Sequence, residues 1–396
     1  MDSAGIPQID DASVFRYVAE GAANVLYECS DPLYSQYLLR LRKKMPSQPS
    51  TLSVYKFLHD TIGPLFDPGM IVATKLVRLS PAVLQQLNGA LVGLEQDGTR
   101  DKKRHGTVLD VDEQYGVFVE NMTATASTAR GGAAALPILQ DVRYKIKGSS
   151  SVIGYVQRGD KSGEVQEVAV LEFKPKWLAQ SRDAPAEWTY CRTCALRRMR
   201  AKDAANSYQF CPFDLVSGDR ERVSKCVNAL LPIEAEERIG QGSRCLDVQR
   251  LRRVMVDFVL NTGIFERLKM IQEKMDRNGL LGDGNDNDEK EQDSTDFLIA
   301  MTVRDCTAFV RISAAAESDL PSEAISGPTP TYVKGKDARV FYVRDEQEWF
   351  AVSCRLADLD IKDGSGTKRE YWKGIERELN VGGWYCGHDA KLAECR

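Results

Sequence analysis

The residues whose types and spacing could do chemistry start with Glu172-Phe173-Lys174-Pro175-Lys176, which follows the apolar run Val168-Ala169-Val170-Leu171. In an extended chain Glu172, Lys174 and Lys176 share one face and Phe173 points the other way. Two lysines suit phosphate oxygens, and a neighbouring carboxylate can orient a lysine or a metal. The bland alternative is a solvated edge strand whose charges pair with each other. Further along, Arg304-Asp305-Cys306 puts a carboxylate in a tight turn, and Asp358-Leu359-Asp360-Ile361-Lys362 sets two acids one residue apart before a lysine. The first could accept a hydroxyl proton. The second could be a metal-and-phosphate site or simply a turn cap. Arg197, Arg198, Arg200 and Lys202 form a dense basic face.

Elements must position these groups. Val168–Leu171 reads as a buried strand, and Pro175, which cannot donate to a ladder, should end it or mark an edge. Arg304-Asp305-Cys306 is expected between two apolar strands, 297–303 and 307–312. Residues 341–343 and 349–356 should pair as strands. In the N-terminal part, Phe15–Ala19 and Val25–Glu28 read as strands around the small-residue turn Glu20-Gly21-Ala22-Ala23-Asn24. Such a hairpin tip can lie over phosphates, as kinase Gly-rich loops do, or be an ordinary turn. A third strand, 37–42, carries Arg40, placed where a protein kinase has a strand lysine. Residues 51–65 and 81–94 have helical spacing. The strand 115–122 runs into small polar residues, which suggests a hinge near 119–123 and a mobile loop over 124–136. Lys102-Lys103-Arg104-His105 is a loop run, either solvated or contacting a phosphate.

Gly154–Ser162 approaches a P-loop, but Asp160 separates Gly159 from Lys161 and no helix follows. A hairpin turn between 152–157 and 164–171 is expected instead. Residues 192–202 and the segment from Arg220 should be helices, 210–219 a structured loop, and 246–272 core-packing helices. Cys191-Arg192-Thr193-Cys194 invites a zinc reading. A second close pair is absent, Cys211 and Cys226 are loosely spaced, and the three histidines are far apart, so a structural zinc is not expected. Residues 282–296 are acidic and apolar-poor without an EF-hand register, which argues for a disordered insertion.

The 396 residues, 43% apolar, suffice for one large bilobal unit or two domains. A net charge of −4 gives no global field that would draw nucleic acid. No run reaches the ~18 apolar residues of a membrane span, and Met1–Gly5 has no secretory character. Ten scattered cysteines fit reduced thiols. An intracellular chain, nuclear or cytoplasmic, is expected.

Taken in order, Glu-Gly-Ala-Ala-Asn (20–24), Glu-x-Lys-Pro-Lys (172–176), Cys-Arg-x-Cys (191–194), Cys-Pro-Phe-Asp-Leu-Val-Ser-Gly (211–218), Arg-Asp-Cys-Thr (304–307) and Asp-Leu-Asp-Ile-Lys (358–362) resemble the inositol-pentakisphosphate 2-kinases. The resemblance runs from about residue 15 to 375 in islands, and the divergent spacers look like a fungal-type member. It implies an α+β, bilobal kinase-like fold. Residues 1–120 would be a smaller α/β N-lobe and 121–396 a larger C-lobe with helical insertions, with ATP and inositol phosphate in the cleft. It implies ATP- and Mg²⁺-dependent phosphorylation of the 2-hydroxyl of inositol 1,3,4,5,6-pentakisphosphate, giving phytate. Asp305 would be the base, with Lys174 and Lys176 at the reacting centre. Asp358, with Asp360 beside it, would hold Mg²⁺. Gly21, Ala22, Asn24, Arg40, Glu120, Met122 and Glu172 would meet ATP. Arg104, Arg198, Arg200, Asn228, Lys362, Arg369 and Tyr371 would hold the inositol phosphates. No nucleic acid or membrane partner is implied, and a monomer is expected. Basic residues do not follow Asn228 as in the family pattern, spacing after Lys362 departs from it, and the His/Cys zinc site of plant members has no counterpart. Another inositol phosphate or lipid kinase, and a non-catalytic inositol phosphate scaffold, are the alternatives.

Overall fold

Alternation builds the N-terminal sheet. Val25, Tyr27 and Cys29, then Tyr37, Leu39 and Leu41, are buried at every second position while their neighbours are not, the pattern of strands with one face on a core. The computed structural model describes residues 5–46, 48–122, 140–146, 150–158, 165–200, 210–231, 247–282, 289–322, 332–335, 340–362, 367–387 and 394–395. The chain divides into two compact units, residues 1–64 with 72–136, and 65–71 with 137–396.

The first unit holds strands β1 (Gln8–Ile9), β2 (Phe15–Glu20), β3 (Asn24–Cys29), β4 (Tyr37–Arg42), β5 (Thr74–Leu79) and β6 (Tyr115–Glu120), in the sheet order β1-β5-β6-β4-β3-β2. Helix α1 (Thr51–Lys56) continues as a π-helix, Phe57–Ile62. Helix α2 (Pro81–Gln96) starts where Ser80 accepts from the Val83 N–H and Pro81 occupies the first turn. It buries Val83, Leu84, Leu87 and Leu91 in the same core as the sheet's apolar face. The hairpin β2–β3 and the third strand β4 form where the sequence placed them.

The second unit is built on a seven-stranded sheet: β7 (Gln140–Ile146), β8 (Ser150–Arg158), β9 (Val165–Phe173), β10 (Thr307–Ala315), β11 (Tyr332–Lys334), β12 (Phe341–Asp345) and β13 (Glu348–Ala357), ordered β11-β12-β13-β10-β9-β8-β7 with every neighbour antiparallel. Its helices are α3 (Arg192–Arg200), the single turn α4 (Pro212–Leu215), α5 (Arg220–Leu230), α6 (Val248–Thr262), α7 (Ile264–Met275), α8 (Glu289–Arg304) and α9 (Thr367–Val381). Gly263, in the left-handed region at φ 67°, separates α6 from α7. None of the helices among the described residues is long and apolar enough to cross a membrane.

Three expectations are corrected. β9 is an interior strand, paired with β8 on one side and β10 on the other, so the edge-strand alternative falls. Residues 297–304 are helix, not strand. Phe297, Ile299, Ala300, Met301, Val303 and Arg304 are all buried, and a helix enclosed all round shows no polar stripe, so its sequence looks like a buried strand. The second half of the acidic stretch, 289–296, forms the opening turns of that helix rather than a disordered insertion, and Asp296 is buried. Residues 283–288 and the loop expected over 124–136 lie outside the described residues. β8 and β9 pair as the expected hairpin strands, and residues 159–164 between them lie outside the described residues.

β9 has two distinct faces. Phe173 is 1% exposed, with its ring 6.0 Å from Phe210 and 5.8 Å from Phe265, while Lys174 is partly exposed beside Asp305. Phe173→Ala should therefore cost about 3–5 kcal/mol, and Lys174→Ala should leave thermal stability nearly unchanged. Chemical denaturation of both variants checks this, and comparable losses would contradict the two-faced reading.

Candidate functional site

Three neighbouring strands end at one place. β10 pairs Ala308 with Phe173 of β9 and Thr307 with Ala357 of β13. The end of β9, the start of β10 and the end of β13 are thus adjacent, and the sequence continues from them into Lys174–Lys176, out of Asp305, and into Asp358–Lys362. Groups 131 and 184 residues apart in the chain meet because the sheet register forces it.

Asp305 lies at the centre, in the turn after α8, its N–H bonded to the Thr302 carbonyl at 3.1 Å. Lys174 Nζ donates to the Asp305 carbonyl at 2.8 Å and lies 3.3 Å from its carboxylate. Lys176 Nζ is 3.4 Å from Oδ1, and Lys362 Nζ is 3.1 Å from Oδ2. Burial alone would raise the Asp305 carboxyl, but Lys362, Lys174 and Lys176 outweigh it and hold the group down to about 2. The same burial draws the Lys176 ammonium below its ordinary value, against the pull of Asp305. Neighbouring Cys306 is buried and its thiol is pushed up to about 12, so it is no nucleophile at neutral pH.

Asp358 follows β13 and accepts a short hydrogen bond from the Thr307 hydroxyl. Its Oδ2 is 3.9 Å from Lys174 Nζ. Leu359, 2% exposed, plugs into the core and separates Asp358 from Asp360. The Asp360 carbonyl accepts from Thr302 at 3.3 Å, tying this segment to the helix turn that carries Asp305.

Two of the site's residues hold unusual backbone. Lys176 (φ 65°) and Asp358 (φ 56°) occupy the left-handed region, which is costly for non-glycine residues. Gln272, on α7 and fully buried, fixes the first of these. Its Nε2 donates to the Lys176 carbonyl at 2.9 Å, and its Oε1 accepts from the N–H groups of Leu178 (2.9 Å) and Ala179 (3.3 Å). Below it, the Trp177 ring has the Arg304 guanidinium 3.5 Å and the Arg192 guanidinium 4.0 Å from its centroid. Both guanidiniums thus contact the same indole. Arg304 pairs with buried Asp276, and Arg192 Nε with buried Glu376 at 2.7 Å. Glu376 also accepts from Ser181 at 2.7 Å and from Tyr385. Gln272, Trp177, Asp276 and Glu376 were not singled out from sequence. Each is an ordinary core or surface type there, and only the fold shows what it supports.

The other expected residues fall in several places. Glu172 is in β9, opposite Phe309 and Ser151 and on the Lys174 side of the strand. Arg198 Nη1 donates to the carbonyls of Trp384 (2.7 Å) and Cys386 (3.0 Å) and stacks on Tyr190, so it holds structure. Arg200 and Tyr371, both exposed, meet at 3.3 Å. Arg369 lies over Phe297, 4.9 Å from its centroid. Asn228 is exposed on α5.

In the first unit, Gly21 and Ala22 form the tip of the β2–β3 hairpin, closed by the Gly21 N–H on the Asn24 carbonyl at 2.9 Å. Buried Glu20 anchors its base: Arg100 donates to both Glu20 oxygens at 2.7 and 2.9 Å, and Lys43 pairs with the same carboxylate and bonds the Gly21 carbonyl at 3.0 Å. Burial opposes ionisation of Glu20, but these cations hold its carboxyl below the ordinary range. Arg40 lies in β4 opposite Val117 of β6. Glu120 ends β6 and accepts from the Ala73 N–H at 3.3 Å, and Met122 is buried just beyond. Arg104 closes a 3₁₀ turn, Lys102–Arg104.

The cysteine spacing argued against zinc, and the structure corrects that argument. Cys191, Cys194, Cys211 and Cys395 converge with their sulfurs within 4.8 Å of one another. The second pair exists in space but not in sequence, because one member comes from residue 395. Cys226 is not part of the group.

A family model described as inositol-pentakisphosphate 2-kinase matches residues 17–378. A Yarrowia lipolytica protein named inositol-pentakisphosphate 2-kinase is 26% identical over 365 residues, covering 92% of this chain and 90% of its own.

The left-handed backbone at Lys176 separates strain from charge. Lys176→Ala and Lys176→Gly both remove the cation, but only glycine relieves the strain, so the glycine variant should be the more stable by about 1 kcal/mol. Paired urea titrations check this. Equal midpoints would mean that the Gln272 bonds, not the side chain, set the conformation at no cost.

Proposed function

Since the chain belongs to the inositol-pentakisphosphate 2-kinase family, we propose that it transfers the γ-phosphoryl group of ATP to the 2-hydroxyl of inositol 1,3,4,5,6-pentakisphosphate, yielding inositol hexakisphosphate and ADP. The observation that carries this is Asp305 held by Lys174, Lys176 and Lys362. A carboxylate beside convergent cations supplies both a proton acceptor and phosphate ligands, and phosphoryl transfer asks the protein mainly for those. The acidic total of the chain does not oppose this, because local field governs capture.

Held near 2, the Asp305 carboxylate is ionised at neutral pH but a weak base. Substrate phosphates compete for the same lysines, and each lysine redirected to a phosphate loosens its hold on Asp305. The base is thereby strengthened when the substrate arrives. Asp305 then takes the 2-hydroxyl proton as that oxygen bonds the γ-phosphorus and the bond from that phosphorus to the β–γ bridging oxygen breaks. Lys174, also near Asp358, takes developing phosphate charge.

The donor chemistry at Asp358 and Asp360 fits Mg²⁺: hard carboxylate oxygens one residue apart, with Asp358 exposed. These two would hold the ion, which would supply positive charge to offset that of the ATP phosphates. In this reading residues 1–120 serve the nucleotide and 121–396 catalysis and the inositol phosphates, the two lobes of a kinase-like fold. Gly21, Ala22, Asn24, Arg40, Glu120, Met122 and Glu172 meet ATP. Arg104, Arg200, Asn228, Lys362, Arg369 and Tyr371 meet inositol phosphates. Arg198 acts through the carbonyls it holds.

Incubating the purified chain with radiolabelled ATP and a panel of inositol phosphates tests the substrate. Turnover confined to a pentakisphosphate with a bare 2-hydroxyl is expected, and preference for another acceptor would redirect the assignment. Asp305→Asn should lower kcat by about 10²–10⁴-fold, as loss of a general base does, with substrate affinity largely kept. Near-native turnover in that variant would remove Asp305 from the chemistry. Asp358→Ala should abolish the dependence of rate on Mg²⁺ concentration in the wild-type range, and an unchanged titration curve would move the metal role to Asp360.

A further inference from the structure

We propose, on the reading of Asp358 and Asp360 as the holders of Mg²⁺, that Thr307 is the positioning residue of the metal-binding carboxylate. Its hydroxyl aims Asp358 at the cation and keeps it off Lys174, and Thr302 assists. Thr307 opens β10 and is 2% exposed. A buried hydroxyl needs a hydrogen-bond partner. An ionised carboxylate can only accept, so the proton of the short bond belongs to Thr307 and points at Asp358 Oδ2. The sheet register makes the pair: Thr307 is matched with Ala357 of β13, and Asp358 is the next residue.

Two groups compete for the same oxygen. Lys174 Nζ lies 3.9 Å from Asp358 Oδ2 and 3.3 Å from the Asp305 carboxylate. An Asp358 released from Thr307 would be free to close on that lysine, tying up a metal ligand and a phosphate ligand on each other. The hydroxyl is neutral, so it holds the carboxylate without cancelling its charge. It has one proton, so it pins one oxygen and fixes the direction of the other. The loop is gripped at three consecutive residues. Thr307 holds the Asp358 carboxylate, the core takes the Leu359 side chain, and the fully buried Thr302 donates its hydroxyl to the Asp360 carbonyl at 3.3 Å. The same two threonines bracket Asp305, whose N–H bonds the Thr302 carbonyl at 3.1 Å. They thus clip the turn that carries Asp305 to the loop that carries the two acids. The left-handed backbone of Asp358, at φ 56°, is the conformation that this grip holds in place.

The test compares Thr307→Val, which removes the hydroxyl and nearly keeps the shape, with Thr307→Ser, which keeps the hydroxyl. Mn²⁺ is titrated into the full chain in place of Mg²⁺, with the free ion read by electron paramagnetic resonance. The Mg²⁺ concentration for half-maximal rate is measured beside it. Losing an outer partner of a metal ligand typically costs about 10–100-fold in metal affinity. Thr307→Val should therefore weaken Mn²⁺ binding and raise the Mg²⁺ requirement by about tenfold or more, and Thr307→Ser should bring both back close to the wild type. The melting temperature of the valine variant should change little, because the Asp358 side chain, 56% exposed, is left to water when the hydroxyl goes. Asp358→Ala is the reference. If it binds Mn²⁺ as the wild type does, the metal reading itself fails and the role of Thr307 with it. If it weakens Mn²⁺ while Thr307→Val does not, the positioning role alone is overturned. Equal losses in the valine and serine variants would overturn it too. Should Thr307→Val fail to fold, Thr307→Ala removes the same proton and is held to the same outcomes.

Discussion

The Trp177 indole, held against two buried guanidiniums, is what the rest of the second unit depends on. The column runs Asp276, Arg304, Trp177, Arg192, Glu376. Burying two arginines is costly unless each is paired; here each has a buried carboxylate partner and a contact with the same indole. The column joins five segments at consecutive points: the end of α7, the end of α8, the residue after Lys176, the start of α3 and the middle of α9. Two residues of the lysine–carboxylate cluster are covalent neighbours of this column, Lys176 next to Trp177 and Asp305 next to Arg304. Their backbone is therefore positioned by charge and packing beneath the cluster itself.

The site itself works in the opposite regime. Asp305 is half-exposed, and its partners are flexible lysines instead of planar guanidiniums. A rigid network underneath and an exchangeable one on top is a sensible division. The lower pairs are buried, whereas the upper ones are partly open to solvent. Strain follows the same boundary, since the left-handed residues Lys176 and Asp358 both lie at the upper level.

How much of this could be read in the sequence varied with the kind of signal. Period-two strands such as β3, β4 and β9 were legible because one face is buried and a single residue of slip would invert it. Asp305, Lys174, Lys176 and Lys362 stood out because charge beside apolar runs is unusual. Helix α8 was misread because total burial removes the periodicity that distinguishes helix from strand. The edge-strand alternative stayed open because strand order is not written in a strand's own residues. Gln272 gave no signal at all: a lone glutamine in an amphipathic helix is polar filler until a backbone with unmatched hydrogen bonds is packed against it. The four thiols were missed for a related reason, since pairs in space need not be pairs in sequence. The fold's long-range register is the information that local pattern lacks.

Glu20 has one more implication. A hairpin tip of small residues would ordinarily sample many shapes, and any ligand it covered would have to freeze them. With Arg100 and Lys43 locked on the Glu20 carboxylate and Lys43 also tied to the Gly21 carbonyl, most of that freedom is surrendered during folding. Whatever the tip of Gly21, Ala22 and Ala23 covers, it meets as a nearly finished surface. Its affinity is then set by fit and is little eroded by the entropy of ordering a loop.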